Sequence, residues 1–204
     1  MKKRILIIAL GLIVAIGIGL GIFFGVKAYK EAHMTDAEKF AKEYKEVSED
    51  NVFVYKDIDE IIEIMEEGTG VIYLGYPESE WCQAYVKYLD ETAKEMEIEE
   101  VYYFNIKEEQ ENNTKKYKKI VELLDARLQE DEDGNKDLFV PNVSFHAEGK
   151  LVGNNCETSL DKNELEDPEE YWTKEEVKDL KASLTKYMNR VIPYLTTCED
   201  CNEK

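Results

Sequence analysis

The sequence predicts an α/β domain carried behind one membrane-spanning helix, and three observations predict it. Short runs of β-branched and aromatic residues alternate with amphipathic runs of helical period between residues 51 and 195. That alternation implies crossover units and a mainly parallel central sheet. A Gly-Lys turn at Gly149-Lys150, set between two short apolar runs, closes the sheet with an antiparallel hairpin. Ahead of all this stands Ile5–Val26, an unbroken run of 22 apolar or glycine residues. About 20 such residues suffice to cross the hydrocarbon of a bilayer, and a helix satisfies its own backbone there.

The first segment, residues 1–30, therefore reads as a retained N-terminal transmembrane anchor. The alternative is a cleaved signal peptide. Its apolar core is shorter, about 7–15 residues, and a small-residue cleavage site follows it. Here the run holds bulky Phe23 and Phe24 near its end, and Lys27-Ala28-Tyr29-Lys30 follows. Basic residues flanking a span favour the cytoplasmic side. Lys2, Lys3 and Arg4 precede the helix and Lys27 and Lys30 follow it, which places the N-terminus inside and the domain on the extracellular face of a cell membrane.

Residues 31–50 read as a helical stalk. Thr35 and Glu38 have capping-box spacing, and Ala37, Phe40, Ala41 and Tyr44 recur at helical period. The domain spans residues 51–195. Asn51–Tyr55 is a strand. Asp57–Glu67 is a helix with Ile58, Ile61, Ile62 and Met65 on one face. Gly70–Tyr76 is a strand apolar on both faces, as in a buried parallel sheet. A turn at Tyr76-Pro77-Glu78 leads to a helix from about Ser79 to Met96. Glu100–Ile106 is the next strand, and residues 110–129 form a helix with Tyr117, Ile120, Val121 and Leu124 inward. Glu130–Asp137 is an acidic loop. Leu138–Phe145 is a strand interrupted by Pro141, and Leu151-Val152 returns beside it. Residues 154–172 are polar and irregular. Thr173 caps a final helix to about Leu195, and residues 196–204 form a Cys-x-x-Cys tail.

Charge excludes one class of partner. The whole chain carries −19, and its first 30 residues hold five basic side chains and no acid, so the rest carries −24. A nucleic-acid binder neutralises phosphates with clustered Lys and Arg, and no such cluster is present. The acidity also repels anionic lipid heads, so the domain stands off the membrane surface.

Two segments carry a family resemblance. One is Val71-Ile72-Tyr73-Leu74-Gly75-Tyr76-Pro77-Glu78-Ser79-Glu80-Trp81-Cys82-Gln83. The other is Val140-Pro141-Asn142-Val143-Ser144-Phe145 with Glu148-Gly149-Lys150-Leu151-Val152-Gly153 after it. In this element order they resemble the thioredoxin-like superfamily, most of all the Gram-positive, membrane-anchored bacteriocin transport accessory proteins. The resemblance implies a thioredoxin-like fold, a central mixed sheet flanked by helices. It also implies a site at the N-terminus of the helix after the second strand, shaped by Trp81, Val140 and a cis Pro141. The family's Cys-x-x-Cys falls on Ser79 and Cys82, with a rival register on Cys82 and Tyr85. Either register leaves one cysteine, whereas dithiol exchange needs an attacking thiolate and a second, resolving thiol. Glu78 and Glu80 oppose a thiolate on Cys82 by like charge.

Cys82 is thus a residual redox thiol, a packed cysteine or half of a disulfide. The resemblance places the loop after the returning strand beside the site, which makes Cys156 either a disulfide partner of Cys82 or a resolving thiol. Cys198 and Cys201 read as a local disulfide, or as a mobile dithiol that exchanges with Cys82. No cofactor is implied. A zinc ion needs four ligands, and His33 and His146 are the only histidines, so no metal is expected. The function implied is that of a binding or accessory module for an extracytoplasmic protein or peptide, in the cell envelope or in peptide export. The alternative is a thiol–disulfide oxidoreductase using Cys82 with Cys156 or the tail pair.

Overall fold

The computed structural model describes Tyr29 and residues 33–130, 136–156 and 167–195. The apolar segment Ile5–Val26 and the tail cysteines lie outside them. Among the described residues no helix is long and apolar enough to cross a membrane. Two units are distinguished, Met1–Thr35 and Asp36–Lys204. In the first, the His33 amide donates to the Tyr29 carbonyl at 3.2 Å.

In the second unit the chain forms helix α1 (Asp36–Glu43), strand β1 (Phe53–Tyr55), α2 (Ile58–Glu67), β2 (Gly70–Gly75), α3 (Glu80–Glu95) and β3 (Val101–Asn105). Helices α4 (Lys107–Glu111) and α5 (Lys115–Leu124) follow. A short ribbon of β4 (Gln129–Glu130) and β5 (Lys136–Asp137) comes next, then the hairpin β6 (Asn142–Ala147) and β7 (Lys150–Cys156). Helices α6 (Pro168–Tyr171) and α7 (Lys174–Val191) close the described chain.

The main sheet has the order β1-β3-β2-β6-β7. Strands β1, β3 and β2 run parallel, and β6 and β7 are antiparallel to their neighbours. The mixed sheet is flanked by helices on both faces. Alternation along the strands sorts the core into two layers. Phe53, Val71, Tyr73, Val101, Tyr103, Val143 and Phe145 pack against α1, α3 and α7. Ile72 and Leu74 face the other way, toward Ile58, Ile61 and Met65 of α2 and Tyr117, Ile120 and Leu124 of α5. All six residues of β2 are buried, as its uninterrupted apolar run requires.

Local chemistry sets the element ends. Asp57 and Glu60 form a full capping box on α2, which satisfies orphan amides at that terminus. Thr173 caps α7 by accepting from the Glu176 amide. Asp90, almost fully buried in α3, accepts the Val52 amide at 3.0 Å and holds Lys94 at 3.0 Å. At the hairpin, Glu148 and Gly149 both adopt positive φ, 49° and 72°, the pattern of a tight two-residue turn. Any Cβ at Gly149 would lie 2.1 Å from the Glu66 carbonyl oxygen, so this turn requires glycine.

Several expectations change. From Asp36 on, the segment expected as a stalk instead belongs to the domain: Phe40 and Tyr44, both fully buried, stack on each other at 4.3 Å in the core beneath β1 and β3. Two aromatic rings one helical turn apart carry too much apolar area to stand in solvent. The helix expected over 110–129 breaks at Asn113, which takes φ 44°. Thr114 then starts α5 by capping the Tyr117 amide. The returning strand is longer than Leu151-Val152, because pairing runs on to Cys156 against Asn142.

Candidate functional site

Strand β2 ends at Gly75, and the chain turns through Tyr76, Pro77 and Glu78 into α3. The Ser79 amide closes that turn on the Tyr76 carbonyl at 3.2 Å. Ser79 is the N-cap of α3; its hydroxyl accepts the Cys82 amide at 3.2 Å. The serine is therefore engaged in capping, which hydroxyl side chains do well. Glu78 is drawn aside by Lys107 at 3.3 Å.

One turn into the helix, Cys82 points inward and is 0% exposed. Its thiol lies against the Tyr73 and Ser79 hydroxyls and the backbone of Tyr76. Burial nevertheless dominates and pushes the thiol pKa up, the hydrogen bonds opposing it. A thiol held neutral and out of solvent is a poor nucleophile. A Cβ on Gly75 would sit 2.4 Å from Tyr73 Oη and 3.1 Å from Cys82 Sγ, so only glycine lets the strand end approach so closely.

Behind the thiol lies a set of buried phenols. Tyr44 Oη donates to Tyr103 Oη at 3.2 Å. Tyr73 Oη makes no hydrogen bond of full geometry, and its polar neighbours are the Cys82 thiol and the Tyr44 hydroxyl. Burial raises the pKa of all three phenols, so the cluster stays neutral across the physiological range. Gln83 ties the turn to α1: its Nε2 donates to the Glu43 and Pro77 carbonyls, each at 2.8 Å, and its Oε1 accepts the Lys45 amide at 3.2 Å.

The Val140–Pro141 peptide is cis. It enters β6 directly before Asn142, which pairs with Leu74 near the end of β2. Pro141 is buried, and half-buried Val140 contacts both core layers. Trp81 does not stand free; its ring meets Tyr171 of α6 edge-on at 5.5 Å.

Cys82 and Cys156 are not brought together. Cys156 pairs with Asn142 and Asn142 with Leu74. Opposed residues of an antiparallel ladder project to one face, which for Leu74 is the α2–α5 side. Cys82 lies under α3 on the other side. The neighbouring Asn155 is the β7 residue that faces α3, where it accepts the Tyr85 hydroxyl at 2.6 Å. A disulfide needs Cβ atoms about 4 Å apart, and here the sheet intervenes. Both residues are thiols, and Cys156 Sγ donates to the Phe139 carbonyl at 3.4 Å. Cys198 and Cys201 lie outside the described residues. Among those residues no group of three or more His, Cys, Asp and Glu side chains could hold a metal ion.

Sequence reading missed Gln83, Tyr44 and Tyr73 as parts of the site. Tyr73 and Tyr103 gave a usable signal, because a phenol on a fully buried strand must find a polar neighbour. Gln83 gave none, since its partners are backbone groups. Compared with protein-family models, curated proteins and solved structures, the chain matches none.

Proposed function

We propose that this chain is a thioredoxin-like binding module, held on the outer face of a cell membrane by Ile5–Val26, whose site no longer turns over disulfides. On this reading Ser79 and Cys82 occupy the positions of a former Cys-x-x-Cys pair. The turn, Val140 and cis Pro141 form a surface that contacts an extracytoplasmic protein or peptide. The parallel β1-β3-β2 core with an antiparallel β6–β7 closure supports the fold assignment. So does a cis proline beside the end of β2.

The observation that carries the functional reading is the state of the two site positions. Dithiol exchange begins when a thiolate attacks a disulfide sulfur, and ends when a second thiolate displaces it from the mixed disulfide. Position 79 offers an alcohol already used as a cap. Position 82 offers a thiol with no exposed surface.

Restoring the missing thiol tests this. In a disulfide-reductase assay the wild-type chain should show no turnover above background. Ser79→Cys should gain a reversible disulfide between the introduced thiol and Cys82, titratable in a glutathione buffer. Wild-type turnover that Cys82→Ser abolishes would overturn the reading in favour of an oxidoreductase.

A further inference from the structure

Away from the Cys82 site, a cleft of about 570 Å³ lies along β7, at the edge of the sheet. Basic side chains from three separate places meet there: Arg127 after α5, Lys150 at the start of β7 and Arg190 at the end of α7. The whole sequence has three arginines, Arg4, Arg127 and Arg190. Both arginines of this strongly acidic domain therefore line one cleft, although 63 positions separate them. Elsewhere eight described lysines form ion pairs, and Lys94 and Lys181 each hold two carboxylates. Arg127 and Lys150 make no ion pair among the described residues, and both are exposed.

Two further features define what would fit. Arg190 Nη1 donates to the Val152 carbonyl at 2.7 Å, which fixes its guanidinium at the strand edge. A guanidinium has five N–H donors, so the others remain for a ligand. Tyr194, 49% exposed, and half-buried Leu151 and Val152 add apolar wall. Glu148 is the one carboxylate on the lining among the described residues. A single lysine and a bulge, which β7 also has at Val152 opposite Phe145 and His146, are ordinary protection for a sheet edge. Two arginines recruited from other elements exceed that need, and arginine pairs carboxylates in planar, two-point fashion.

We propose that the β7 cleft binds an extended, acidic peptide segment of a partner protein, laid along the sheet edge. Arg127 and Arg190 hold its carboxylates, and Leu151, Val152 and Tyr194 hold the side chains between them. This surface is independent of the reading given above for Ser79 and Cys82.

The test uses the full chain in a neutral detergent and a short fluorescein-labelled peptide alternating glutamate and valine, read by fluorescence anisotropy. The glutamate peptide should bind, a lysine–valine counterpart should not, and added salt should weaken the complex. Arg127→Gln should weaken binding about tenfold, the loss of one charge-assisted contact. Among the described residues the Arg127 side chain makes no hydrogen bond or ion pair, so this variant should keep the wild-type melting temperature. Arg190→Gln should weaken binding further, and Ser79→Ala should leave it unchanged. Equal binding in wild type and Arg127→Gln would overturn the proposal. So would loss of binding in Ser79→Ala, which would move the peptide to the other site and leave that reading standing. Arginine-dependent capture by anionic vesicles but not by the peptide, or arginine-dependent self-association without peptide binding, would also overturn it.

Discussion

At the scale of the residue, buried polar groups decide what this protein can do. Cys82 shows it best: the same helix start that would activate an exposed thiol instead buries this one against Tyr73 and Gly75. His146 is a second case. It is 1% exposed on β6, on the same face as buried Asn142 and Ser144, and its Nε2 lies 3.1 Å from Ser144 Oγ. Nδ1 has no hydrogen bond of full geometry. Burial pulls the imidazole pKa down to about 4, the nearby Met65 backbone opposing weakly. The unfolded chain titrates near 6.5. Protons therefore bind the unfolded chain first, and the neutral ring's contribution, full above about pH 6.5, is lost as pH falls through 4. The difference corresponds to about 3 kcal/mol. Urea unfolding at pH 7 and pH 4.5 should show wild type losing more stability than His146→Gln. An identical loss in both would mean that the ring is already charged in the fold.

The residue scale is also where sequence reading was strongest and weakest. The start of a helix at about Ser79 followed from the run after the turn, whereas the capping role of Ser79 came only from the structure. A cis Pro141 followed only from the resemblance. The placement of Cys156 was misjudged because strand parity, set by how far pairing runs beyond Val152, decides which face it takes. A sequence does not state that length when the continuation, Gly153-Asn154-Asn155, is polar.

At the scale of the element, most helices and strands were legible because their periods were clean and their caps explicit. One failure came from judging an element without the layer it packs on. Helix α1 looked like a stalk because a basic and acidic surface surrounds its two aromatic rings. Those rings complete the layer over β1 and β3, where Phe40 stacks on Phe53 at 3.8 Å and meets Tyr103 edge-on at 5.0 Å. Asp36, at the start of α1, also accepts the Tyr55 amide at 3.0 Å, closing part of the β1 edge. Phe40→Ala should then destabilise the domain by about 3–5 kcal/mol, measured as a shift in denaturant midpoint. A stalk helix would lose less than about 1 kcal/mol from the same change.

At the scale of the molecule, the sheet has two edges and treats them differently. At the β1 edge Asp36 accepts the Tyr55 amide. The β7 edge carries the chain's two domain arginines and an open cleft. The site at the end of β2 faces a third direction, with its turn braced to α1 by Gln83 and its tryptophan braced to α6. A strongly acidic domain with a braced, capped turn and a sealed thiol fits the proposed binding role. On the proposed reading its activity is holding partners, with Ile5–Val26 as the anchor.

The most direct measurement is the alkylation rate of Cys82 in the full-length, fully reduced protein near pH 8, native and in denaturant, mapped by mass spectrometry. Half-buried Cys156 serves as the internal control. A sealed, neutral thiol predicts that native Cys82 is labelled on the order of a hundredfold or more slower than in the unfolded chain, because reaction waits for local opening. It also predicts that Cys156 labels first. Native labelling of Cys82 at the unfolded rate, ahead of Cys156, would contradict a binding module and make Cys82 a working thiolate.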